Sequence, residues 1–269
     1  MKEDTKNHCP RLSVYILAFN EEGKIGETLE SVNWADEIVV VDSFSTDRTV
    51  EIAEEYGAKV VQEKFQGFGK LRVAGIRHTT NPWIFTIDSD ERCTPDAKEE
   101  ILKIINDDHS ADAYLVPRRN YFMGKLIRFG GWYPNYRQPQ LFRRGKMTFP
   151  EEDLVHEGYI LDGRLAKMRN PINQIPFQNL SEVLRKMDRY SELGARKLKQ
   201  KGKSSNIGKA CIRALWTFVR IYLLRLGFLD GWAGFVIAFG NLEGAFYKYA
   251  KLSEVNRIEE LESKESQIV

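Results

Sequence analysis

Two aspartates separated by one serine, Asp88 and Asp90, follow the apolar run Ile84–Ile87, and a further one, Asp42, follows the apolar run Ile38–Val41. Carboxylates are hard oxygen donors, and magnesium or manganese is usually held by one or two of them while substrate phosphates fill other positions. Asp88-Ser89-Asp90 therefore reads as a divalent-metal site. An Asp-x-Asp pair elsewhere more often caps a turn, but here it ends a strand at a sheet edge, where carboxylates are not needed for solubility. Asp42 reads as a ligand-facing acceptor at the same edge.

The elements that must position these acids are buried strands. A strand that is apolar throughout is covered on both faces, as in a parallel sheet. In an open α/β sheet the ligand crevice lies outside the carboxyl ends of the strands, so the aspartates converge there. Strands are expected at 12–18, 37–42, 58–62 and 83–88. Helices are expected over 23–32, from the Ser45-Thr46-Asp47 turn to Gly57, over 67–78, and after Pro95. This alternation implies an α/β fold, a mostly parallel sheet with helices on both faces. Residues 113–121 read as one further strand, and 122–176, rich in Gly, Pro and aromatic residues, as a layer of short strands carrying substrate contacts. Helices resume at about Leu180.

Composition narrows the alternatives. The 269 residues suffice for one α/β domain with an appendage, and a net charge of +2 gives no reason to expect a nucleic-acid partner. Cys9, Cys93 and Cys211 fit neither a zinc spacing nor a disulfide framework and read as reduced cytosolic thiols. Residues 1–11 are polar, unlike a secretion signal.

Residues 193–229 carry nine Lys or Arg and no acid, with Ile207, Cys211, Leu215, Phe218, Tyr222 and Leu226 at helical spacing and Trp216, Arg213, Arg220 and Arg225 among them. A basic amphipathic helix bearing aromatics suits an anionic membrane surface. The apolar stretch 228–246 is interrupted by Asp230, four glycines, Asn241 and Glu243, which favours attachment at the interface over crossing.

The motifs AFNEE at 18–22, VDSFSTDRT at 41–49 and DSDE at 88–91, in this order and spacing, resemble the catalytic domain of family 2 inverting glycosyltransferases of GT-A fold. Phe68-Gly69-Lys70, Leu154-Val155-His156-Glu157 and the ending YLLRLGFLDGWAGFVIA resemble its branch of lipopolysaccharide inner-core β-glucosyltransferases. The resemblance implies a nucleotide-diphospho-sugar transferase domain over 10–176, with a nucleotide half at about 10–112 and an acceptor half at about 113–176. A helical membrane-associating region over 177–252 and a charged tail over 253–269 follow.

It also implies roles. Ala18, Asn20, Glu22, Asp42 and Asp88 line the donor pocket; Lys70 and Arg72 neutralise its diphosphate; Asp90, with Asp88 and His156, holds manganese or magnesium. Val73 stands where many relatives have Asn. Inverting transfer needs a base for the acceptor hydroxyl. Glu157 is the first candidate and Asp153 its rival. Trp132, Tyr133 and Arg137, with Arg143, are candidate acceptor contacts, since aromatic faces suit sugar rings and guanidinium suits phosphate.

The reaction so implied moves a sugar, glucose from UDP-glucose, onto a lipid-linked glycan such as an inner-core heptose, with the protein peripheral on the cytoplasmic face of the inner membrane. Transfer to polyprenyl phosphate or another surface glycan is the enzymatic alternative, and a catalytically silent carbohydrate-binding membrane scaffold the non-enzymatic one. A nucleotidyltransferase lacks its Gly-rich, Arg-containing loop here, and a dehydrogenase its Gly-x-Gly-x-x-Gly after the first strand.

Overall fold

The computed structural model describes residues 11–134, 136–151 and 158–265. The described residues form two compact units, 1–119 with 134–174, and 120–133 with 175–269.

The first unit opens with β1 (Leu12–Ala18), α1 (Ile25–Val32), β2 (Glu37–Asp42), α2 (Thr49–Glu55), β3 (Lys59–Gln62), α3 (Phe68–His78) and β4 (Trp83–Asp88). A short β5 (Glu91–Arg92) leads into α4 (Pro95–Ile105), which starts where the Thr94 hydroxyl accepts from Ala97 N–H and Pro95 supplies a fixed φ. Along the chain then come β6 (Ala113–Leu115), β7 (Arg118–Phe122), β8 (Lys125–Ile127), β9 (Pro139–Arg143), β10 (Met147–Thr148), β11 (Ile160–Leu161), β12 (Leu165–Lys167) and β13 (Ile172–Gln174), of which β8 and the end of β7 belong to the second unit.

Seven strands make the main sheet, in the order β12-β6-β9-β4-β1-β2-β3. It is parallel except for β9, which runs antiparallel to β4 and β6. Alternate residues face opposite sides, as period-2 strands require. Val14, Ile16, Val40, Phe85 and Ile87 meet Ile25 and Leu29 of α1 and Ala97 and Ile101 of α4. Tyr15, Val39, Val41 and Ile84 meet Leu71 and Ala74 of α3. Helices thus cover both faces. α3 comes so close that a Cβ on Gly75 would stand 2.5 Å from the Tyr15 ring.

One expected strand is two. Residues 113–121 break after Leu115 because Pro117 has no N–H for the ladder; β6 stays in the main sheet and β7 forms a hairpin with β8.

In the second unit α5 (Leu180–Gln200), α6 (Ile207–Val219) and α7 (Gly231–Glu265) pack together. Phe122, Ile127, Ala233 and Ile237 form its buried centre, with Trp132, Phe177 and Val183 half-buried around them. Residues 120–133, read from sequence as acceptor-half chain, group with these helices. α7 continues into the stretch read as a charged tail, as far as Glu265. Among the described residues no single helix is long and apolar enough to cross a membrane; α6 and α7 pass by length and composition only as a pair bent by 71°.

Candidate active site

Register brings the acids together. Asp42 of β2 pairs with Ala18 of β1, and Asp88 of β4 pairs with Leu17. With β1 between them at about 4.8 Å per strand, the two aspartates flank its carboxyl end about 10 Å apart. The chain leaves β1 for β2 and β3 on one side and returns to β4 on the other, so this is a topological switch point.

The loops after β1 and β2 are tied to each other. Asn20 N–H donates to Ser45 Oγ at 2.8 Å, and Asn20 Oδ1 accepts from Thr46 N–H at 2.8 Å. Glu22 N–H donates to Asp47 Oδ2 and Glu22 Oε2 accepts from Arg48 N–H, both at 3.1 Å. Asn20 and Glu22 therefore build the rim of the crevice. Asp42 is wholly buried; it accepts from Ser45 N–H at 3.0 Å and from Gln62 Nε2 at 3.3 Å, so it holds the same loop from beneath. Phe19 and Phe44 stand exposed on these loops, Phe44 with a left-handed φ of 61°. Sequence reasoning passed over both, since an isolated aromatic in a loop carries no pattern.

The Asp88 side chain is 28% exposed and its Oδ1 accepts from Arg72 Nη2 at 3.3 Å. Burial alone would raise its pKa, but the guanidiniums of Arg72, Arg118 and Arg137 outweigh that and hold it below the usual carboxylate range. Arg72 is 2% exposed, stacks over Phe149 and also donates to Thr86. Its position makes it the partner of Asp88, not a solvent-facing phosphate contact. Lys70 lies on the exposed face of α3 and donates to Gln66 at 2.8 Å. Asp90 Oδ1 accepts from Gln174 Nε2 at 3.3 Å.

Beneath the turn lies a group that the motif DSDE contains but its pattern does not explain. Glu91 is fully buried, paired with the equally buried Arg118, and accepts from Asp88 N–H at 3.0 Å and Gln140 Nε2 at 2.8 Å. Burial raises its pKa, against the pull of Arg118 and with the push of Asp88 and Asp90. The partner that identifies its role, Arg118, is 27 residues away in sequence.

The acceptor candidates do not form one set. Trp132 is half-buried edge-on against Phe122, which makes it part of the helical unit's apolar centre. Tyr133 is exposed. Arg137 is exposed and acts electrostatically on Asp88. Arg143 pairs in register with Trp83 and stacks over its ring at 4.5 Å, at the amino end of β4. Five residues of strand separate it from Asp88, about 17 Å, so the expectation for Arg143 fails. Asp153, His156 and Glu157 lie outside the described residues.

Asp88 and Asp90 supply two carboxylates at a strand end, the donor type that a divalent ion takes. Among the described residues no group of three or more His, Cys, Asp or Glu that could hold a metal occurs. That composition leaves positions to phosphate and water, as magnesium sites prefer.

The chain is similar to known proteins. Residues 13–158 match glycosyl transferase family 2. The chain is 29% identical over 251 residues to the lipopolysaccharide core biosynthesis glycosyltransferase LpsC of Rhizobium meliloti, covering 90% of this chain and 91% of that one. It is 40% identical over 112 residues to the low-salt glycan biosynthesis hexosyltransferase Agl6 of Haloferax volcanii, covering 39% of this chain and 26% of that one. The crystal structure of S. aureus TarS 1–349 in complex with UDP superposes with a TM-score of 0.50 at 18% identity, covering 93% and 92% of the two chains, a likeness of fold. A GT-A sheet whose switch point carries Asp42, Asp88 and Asp90, and a family match over more than half of its length, make this chain a glycosyltransferase belonging to glycosyl transferase family 2.

Proposed function

We propose that the chain transfers one sugar, with inversion, from a UDP-sugar to a lipid-linked glycan. UDP-glucose is the donor and a lipopolysaccharide inner-core heptose the acceptor. One observation carries the reading most: the strand register that sets the Asp42 loop and the Asp88–Asp90 turn on either side of β1. The near-full-length similarity to a lipopolysaccharide core glycosyltransferase supports the acceptor class.

The nucleoside enters the rim built by Asn20, Glu22 and the loop that Asp42 organises, with Phe19 and Phe44 offering apolar faces to the base. Asp88 and Asp90 would hold manganese or magnesium, which neutralises charge on the departing diphosphate. Arg72 keeps Asp88 charged, Glu91 holds its backbone N–H in place, and Arg137 adds positive field at the same point. The base for the acceptor hydroxyl is Glu157, with Asp153 as rival and His156 beside it.

The test is donor turnover by purified variants. Asp90→Ala should abolish metal-dependent hydrolysis and transfer of UDP-glucose while the fold persists. Glu157→Gln should retain donor binding by thermal shift and lose about 10²–10⁴-fold in transfer. Wild-type turnover in Asp90→Ala at saturating manganese would refute the metal assignment, and a larger loss in Asp153→Asn than in Glu157→Gln would move the base to Asp153.

A further inference from the structure

We infer that the bend between α6 and α7 is a preformed apolar wedge that inserts into one leaflet of an anionic lipid bilayer. The helical unit turns its large apolar residues outward at this bend. Leu223, Leu224, Leu226, Phe228, Leu229, Trp232 and Phe235 are each exposed, Leu224 by 63% and Trp232 by 54%. On α6, Ile207, Ile212, Leu215 and Trp216 are exposed too, and the helix packs through a narrow seam of Ala210 and Ala214. Of the stripe read from sequence as suited to a membrane surface, Ile207, Cys211, Leu215 and Leu226 are exposed and Phe218 and Tyr222 half-buried. An apolar patch of this extent on a folded unit marks an interaction surface.

The bend is built, not slack. A π-helical turn, Arg220–Leu224, passes into a short turn, Gly227–Asp230, through Leu226 in the left-handed conformation with φ 58°. A Cβ on Gly227 would stand 2.7 Å from the Ile221 carbonyl oxygen, and one on Gly234 would overlap the Gly227 carbonyl, so these backbones meet where only glycine fits. The seat is a carboxylate: Asp230, 4% exposed, accepts from Arg128 N–H at 3.2 Å and Phe129 N–H at 2.9 Å, and Lys125 donates to its carbonyl at 2.6 Å.

Charge selects the occupant. Between Glu192 and Glu243 Asp230 is the only acid, against nine Lys or Arg. Because Asp230 is turned inward, the outer surface of this stretch carries no negative charge, while Lys209, Arg213, Arg220 and Arg225 are exposed on it. A second copy docked on this face by a two-fold axis would set cations against cations. An anionic bilayer offers both what the arginines need and what the leucines need, and tryptophan favours its interface. The inference deepens the lipid-linked acceptor reading above, but membrane binding is measured here without donor or acceptor, so either can fail alone.

The experiment is flotation of the full chain with phosphatidylcholine vesicles, with and without phosphatidylglycerol, at low and high salt. Wild type should float with phosphatidylglycerol vesicles and keep part of that binding at high salt, because apolar insertion is not screened. Leu224→Glu/Leu229→Glu/Trp232→Glu should lose the salt-resistant part, its partition coefficient falling at least about a hundredfold, since each lost burial exceeds a tenfold step. Lys209→Glu/Arg213→Glu/Arg220→Glu should lose the preference for phosphatidylglycerol. Far-UV circular dichroism and UDP-glucose hydrolysis equal to wild type would show the variants folded. Three results would overturn the wedge: wild type that stays with the soluble fraction at low salt, an apolar variant that floats like wild type, or a lipid-indifferent dimer that the apolar variant splits into monomers.

Discussion

Removing one partner of the Glu91–Arg118 pair should damage the first unit more than any change of surface charge. Both side chains are fully buried, and Glu91 also receives Asp88 N–H and Gln140 Nε2. Glu91→Gln puts an amide N–H where a carboxylate oxygen accepted and takes from the buried Arg118 the charge it pairs with. Breaking a buried pair in this way costs about 3–5 kcal/mol. A domain's whole stability is about 5–15 kcal/mol, so the loss is a third of it or more in the middle of both ranges. Arg118→Met should cost about the same, because it strands the carboxylate.

The double variant Glu91→Leu/Arg118→Met separates the charge effect from lost packing. It removes both charges and, among the hydrogen bonds that Glu91 accepts, orphans Asp88 N–H at about 1–3 kcal/mol; Gln140 Nε2 keeps its bond to the Thr86 carbonyl. The double change should thus cost less than either single change, with a coupling of at least about 3 kcal/mol from the difference between these ranges. Urea unfolding with unchanged m-values is the assay, and thermal shift by UDP-glucose with manganese reports whether Asp88 still stands correctly. Single variants within about 1 kcal/mol of wild type, or strictly additive costs, would refute the reasoning.

Gly69→Ala should destabilise by about 1–3 kcal/mol, because its Cβ would overlap the Pro150 carbonyl, a backbone atom that cannot swing away; differential scanning calorimetry against Gly57→Ala, whose Cβ meets nothing but whose φ is 74°, distinguishes the clash from strain. Acid should loosen the paired loops after β1 and β2. Burial would raise the Asp47 pKa, but bonds from the Thr49 hydroxyl and from Glu22 and Thr49 N–H hold it below its ordinary 3.8. A lowered carboxylate stabilises the fold fully above its unfolded pKa and ceases to as pH falls through the folded value, so the loss lies below pH 3.8. Asp47→Asn should flatten this part of a urea-midpoint profile against pH, and an unchanged slope would show that the rim contributes nothing.

What the sequence determined by itself is local and periodic. Strands at 12–18, 37–42 and 83–88 and the helix over 67–78 follow from apolar runs and helical spacing, and they recur with at most a residue's shift. The convergence of Asp42 and Asp88 on the carboxyl end of β1 was legible because a carboxylate closing a buried apolar strand marks that strand's end at the sheet edge. Contacts between distant segments had no such signal. Nothing in the spacing of Glu91 and Arg118, 27 residues apart, announces a buried pair, and nothing local distinguishes Arg72 facing Asp88 from Arg72 facing solvent. Trp132 and Arg143 looked alike in one aromatic, basic segment, yet one is packed on Phe122 and the other on Trp83. The packed face of α6 was likewise decided by tertiary structure: helical spacing marked the stripe of large apolar residues, but the buried seam is the small pair Ala210 and Ala214, and nothing in their size announced that α6 would pack through them.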